Sequence, residues 1–188
     1  MEEYLAREAR PGMEEENGSP WAQALLRGLS WLVILLMLGI VLQVACNALD
    51  INPLARFDTA LPLLGKAITL NTLLDLQWHL LVITGLLPAG LVWLSNAHVR
   101  VDFFYQPRSD RTKARIDLAG NLLFALPFLV MVLPAAWDFT HRAWRSDEGS
   151  ASGGLNDLWL IKAFLPLGMA LLALALAVET LRLLRRAK

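Results

Sequence analysis

The side chains that most often ligate a transition metal through nitrogen or sulfur are, in this sequence, three histidines and one cysteine. His79 follows Trp78, and His141 precedes Trp144 by three residues. At a rise of about 1.5 Å per residue, both fall toward the same face of a membrane bundle. Two histidines from neighbouring helices at similar depth could ligate a haem. The plainer reading makes each an interfacial polar residue beside a tryptophan, and their setting favours it. No Cys/His cluster has zinc spacing, and no glycine-rich phosphate loop occurs. The lone Cys46 excludes an internal disulfide framework and reads as a small apolar packing residue. The chain is therefore read as a non-enzyme without cofactor or metal. A haem-bearing redox membrane subunit using His79 and His141 is the alternative.

The third histidine lies in Asn96-Ala97-His98-Val99-Arg100-Val101-Asp102-Phe103-Phe104-Tyr105, followed by Arg108, Arg111, Lys113 and Arg115. Two readings stand side by side. One is a juxtamembrane connector with snorkelling arginine and a local Arg–Asp pair. The other is a structured hinge, held by His98, Arg100 and Asp102, that docks on another subunit. Composition does not separate them.

The elements that must position these residues are membrane spans. Apolar residues make up 56% of the 188 residues, and the mean hydropathy is +0.47. A soluble domain holds about 45–50% apolar residues. The excess is clumped into four runs of about 20 residues, the length needed to cross a bilayer, near positions 29–49, 73–94, 116–140 and 158–184. The expected fold is an all-α integral membrane protein: a polar cytoplasmic tail over 1–19, then a membrane domain over 20–188 with four transmembrane helices and short interfacial helices. The tail, with Glu14-Glu15-Glu16, lacks apolar periodicity and puts acids where a signal peptide needs bases. With four spans, the amino tail, hinge loop and carboxyl tail share one side and hold twelve of the seventeen basic residues. The positive-inside rule places both termini and the hinge in the cytoplasm.

Local signals add detail. Ser19-Pro20 starts a helix. Asn52-Pro53 and Leu61-Pro62 break helices, so 47–71 is expected as a loop with a short surface helix; a re-entrant segment is the alternative. Thr72-Leu73-Leu74-Asp75 has the form of a capping box. Pro88 implies a kink. Gly85 and Ala89 offer a flat strip for another helix, and Ala170, Ala173 and Ala177 a small-residue stripe. Asn156 is the expected N-cap of span four. Lys162 can snorkel to the near surface, and Glu179 precedes Arg182 at i+3.

The middles of the spans carry no charged residue. An ionisable group at mid-bilayer costs about 2.5–3.5 kcal/mol on insertion scales and marks function where it occurs. Its absence argues against a proton pump, and against a transporter that grips a charged solute within this chain alone.

Several motifs appear in order: Asp75-Leu76-Gln77-Trp78-His79, then Asn96-Ala97-His98-Val99-Arg100-Val101-Asp102, then Glu148 with Gly153-Gly154-Leu155, then Lys162 with Pro166-Leu167-Gly168. In this set the chain resembles the DctQ-type small permease subunit of tripartite ATP-independent periplasmic (TRAP) transporters. Asn156-Asp157 stands where that family would have a proline-containing turn. The resemblance implies a scaffold without its own transport site, in the bacterial inner membrane. Its partners would be a large permease subunit, which binds substrate and sodium and moves as an elevator, and a periplasmic protein that delivers an organic acid or similar solute. It also implies periplasmic docking at Trp144, Arg145, Glu148, Gly153 and Gly154, with no role for nucleic acid. A membrane assembly factor unrelated to transport is a further class.

Overall fold

The computed structural model describes residues 20–95 and 103–186. Helix α1 (Pro20–Ala48) leads into a hairpin of β1 (Ala55–Leu61) and β2 (Gly65–Ile68). Next come α2 (Leu70–Leu86), α3 (Ala89–Leu94) and α4 (Asp110–Gly120). A π-helical turn (Asn121–Ala125) joins α4 to α5 (Leu126–Arg145), and α6 (Trp159–Lys162) precedes α7 (Phe164–Arg186).

Four helical stretches are long and apolar enough to cross a membrane: Ala24–Ala48, Leu70–Leu94, Asp110–Arg145 and Trp159–Arg185. These agree with the four expected spans. The third, at about 1.5 Å per residue, is roughly 54 Å long. It outruns a hydrocarbon core of about 30 Å, so its charged first turns stand outside the apolar zone.

Helix α7 is the hub, packing against α3, α4 and α5, while α1 lies along α2. The second span breaks where expected: Pro88 has no N–H to continue α2 and becomes the N-cap of α3. The intrachain close approach is not at the expected strip. Gly85 is exposed, with nothing within 4 Å of where a Cβ would be. The contact falls at Gly90, where a Cβ would meet Leu171 O at 2.8 Å, and at Gly168, where it would meet Leu86 Cβ at 2.9 Å. After the break at Pro88, the residue that follows Ala89 is the one against α7. Gly90→Ala is expected to cost about 1 kcal/mol by pushing backbones apart, while Gly85→Ala costs nothing in the isolated chain. Thermal unfolding in detergent checks both.

The first loop corrects the expectation of a surface helix. Leu63 takes a left-handed φ of 68° and Gly65 one of 66°, so the chain reverses and β1 pairs with β2 antiparallel. A helix of eight residues would be marginal alone; pairing satisfies the same backbone groups within two short strands. The capping box also sits one turn earlier than expected. Thr69 Oγ1 accepts from Thr72 N, and Thr72 Oγ1 accepts from Thr69 N at 3.1 Å. Asp75 is left free for another role.

Candidate functional site

The polar groups of the second span's start and of the loop before α6 meet at the hairpin end of the bundle. Asp75 lies on α2, one turn beyond Thr72 of the capping box. Its Oδ2 accepts a hydrogen bond from Leu155 N at 2.9 Å. The preceding Gly154 is buried, and a Cβ there would stand 2.7 Å from Asp75 Cγ and 2.9 Å from Asn71 O. Only glycine lets the loop backbone come this near the carboxylate. Leu155, 2% exposed, inserts as an apolar plug; burial of such a side chain contributes about 2 kcal/mol. Asn71 Nδ2 donates to Ser152 O at 2.6 Å, and Thr69 Oγ1 to Gly153 O at 3.4 Å. Asn156 N donates to Leu63 O at 2.8 Å, tying in the hairpin. Asn156 is therefore not the N-cap expected of it: Leu158 caps α6, without a side-chain bond.

A second tie closes the loop onto the bundle. Lys162 Nζ donates to both oxygens of Glu148, at 2.7 and 2.6 Å. The ammonium also lies 4.2 Å from the centroid of the Phe139 ring. Thr140 Oγ1 donates to Lys162 O at 2.9 Å. Lys162 thus turns inward to a partner rather than snorkelling outward. With side chains 17% and 40% exposed, the pair lies between a surface ion pair, worth little, and a buried one, costly to break on one side.

The five residues named for docking therefore divide. Trp144 (60% exposed), Arg145 and Gly153 face outward. Glu148, half-exposed but tied to Lys162, and the buried Gly154 hold the loop's shape. His98, Arg100 and Asp102 lie outside the described residues. Just after them, Tyr105 Oη donates to Asp117 Oδ2 at 2.6 Å, which fastens the segment to α4.

The haem alternative finds no support. His79 Nδ1 donates to Asp75 O at 2.6 Å, and its Nε2 is buried without a partner among the described residues. His141 lies beside Trp144, with ring centroids 6.0 Å apart and planes tilted by 35°. Among the described residues no three His, Cys, Asp or Glu side chains gather to hold a metal. Cys46 is buried, as a packing residue should be. The Glu179–Arg182 pair forms at 3.9 Å.

Sequence reasoning missed the Asp75 tie. A carboxylate early in an apolar helix and a later Gly-Gly pair were the available signals, but nothing along the chain couples them. It also passed over Asp138, exposed on α5 two turns before the end.

The family model for tripartite ATP-independent periplasmic transporters, DctQ component, matches residues 63–186. No curated protein matches the chain. The match takes in β2, both ties of the loop and every helix from α2 to α7, and leaves out α1 and β1. A multi-pass helical membrane chain matched over about two thirds of its length belongs to the DctQ family, the small permease component of TRAP transporters.

Proposed function

We propose that this chain braces a large elevator-type permease in the bacterial inner membrane and helps a periplasmic binding protein dock, during sodium-driven uptake of an organic acid or similar small solute. The observation that carries the brace is the uncharged interior. Between Asp117 and Asp138, about 30 Å of helix, no charged side chain occurs, nor between Lys162 and Glu179. A solute or ion crossing here would find nothing to grip, whereas a fixed wall for a moving neighbour needs no such group. Both termini are assigned to the cytoplasm from the basic-residue asymmetry, which sets the hairpin end in the periplasm.

Docking is assigned to Trp144, Arg145 and Gly153, with Glu148 and Gly154 holding that loop in place. His98, Arg100 and Asp102 are assigned to the cytoplasmic hinge. Arg145→Glu is expected to slow binding-protein-dependent uptake about tenfold by reversing a rim charge that guides encounter. Co-purification of the large subunit stays unchanged. Uptake at the unaltered rate would remove the docking role. Omitting the chain from a reconstituted complex should abolish uptake.

A further inference from the structure

Two grooves run end to end along the seam between α5 and α7. The first, about 410 Å³, is lined by Leu122, Leu126, Val130, Ala177 and Leu181 among others. The second, about 400 Å³, continues from the shared Leu133 past Ala170 to Ala163. The polar groups in the first lining sit at one extremity, where Asn121 Nδ2 donates to Thr180 Oγ1 at 3.3 Å. Beyond that extremity lie basic residues. Arg115 precedes Leu122 by seven positions and Arg185 follows Leu181 by four, spacings that return each to its groove residue's side of the helix. At the helical rise they stand about 10 Å and about 6 Å beyond the lining. Both are exposed, and among the described residues neither has a carboxylate partner. Of the acids between these arginines and the groove, Asp117 accepts from Tyr105, and Glu179 lies 3.9 Å from Arg182.

We infer that the groove holds an acyl chain of an anionic phospholipid, with its phosphate between Arg115 and Arg185. Charge decides the occupant. Arg115 and Arg185 place two positive charges, without a carboxylate partner among the described residues, beyond the groove's polar end. A phospholipid brings its negative group to that depth, and basic residues flanking spans attract it. The small side chains of Ala170, Ala173 and Ala177 leave the channel into which a flexible chain fits. The inference stands apart from the transport role: a chain of any function with this groove and these arginines would select the same lipid.

The test is native mass spectrometry of the detergent-solubilised chain after exposure to equimolar phosphatidylglycerol and phosphatidylcholine. Phosphatidylglycerol should be retained preferentially. Arg115→Gln with Arg185→Gln should lower that preference about 30-fold, at the usual contribution per basic residue. Ala177→Phe, which fills the groove from an exposed position, should lower retention of both lipids with helical circular dichroism intact. Arg56→Gln, on the hairpin, should change nothing. Equal retention of the two lipids, or a preference that survives both groove variants, overturns the inference. So does cross-linking of Ala177→Cys to the large subunit in a complex that carries no phosphatidylglycerol.

Discussion

Gly154→Val is expected to destabilise the chain by about 3 kcal/mol, combining overpacking with loss of the hydrogen bond from Leu155 N to a charged carboxylate. The valine would have to stand within 2.7 Å of Asp75 Cγ and 2.9 Å of Asn71 O, so the loop must lift from α2. Lifting it also withdraws Leu155 from its buried seat and frees Asn156 from the hairpin. The readout is a lower midpoint of thermal unfolding in detergent together with faster proteolysis between Arg145 and Trp159. Gly153 supplies the control. It has a left-handed φ of 73° and nothing within 4 Å of a would-be Cβ. Gly153→Ala should therefore cost only about 1 kcal/mol of backbone strain and leave the proteolysis pattern alone. Equal losses at the two glycines would mean that backbone conformation, not the contact with Asp75, governs the loop.

Glu148→Gln is expected to cost about 2 kcal/mol, and Lys162→Met about 1, an asymmetry set by exposure. Removing the glutamate charge strands an ammonium whose side chain is only 17% exposed, whereas removing the lysine leaves a carboxylate that is 40% exposed and rehydrates. The Phe139 ring, 4.2 Å away, softens the first loss without replacing a bidentate acceptor. The double variant should fall short of the sum of the two, because each single change breaks the same pair. Unfolding midpoints of the three proteins measure this, and additive losses would show that the two groups act separately. Partial burial also predicts that the tie persists at salt concentrations that screen surface pairs.

The spans were legible because apolar length is a local property: each run declares itself without reference to its neighbours. Pro88 was legible for the same reason, since the missing N–H acts within one helical turn. Which glycine faces α7 was not, because periodicity cannot be carried across the break at Pro88. The hairpin was hidden by an apolar run, Leu63-Leu64-Gly65-Lys66-Ala67-Ile68, whose pairing partner lies outside it. The loop site was half visible. Glu148, Gly154 and Lys162 were picked out, but the residue that joins Gly154 and Leu155 to the bundle is Asp75, about 80 positions away. Asp75 was spent on a capping role that Thr69 and Thr72 fill by themselves. The Glu148–Lys162 pair depended on the path of the loop between them, which no periodic pattern carries.

The most direct measurement is sodium-driven uptake into proteoliposomes that contain this chain alone, the large subunit with the binding protein, or all three together. Uptake should occur only with all three. Solute accumulation by the chain alone would contradict the brace, and so would full uptake in its absence.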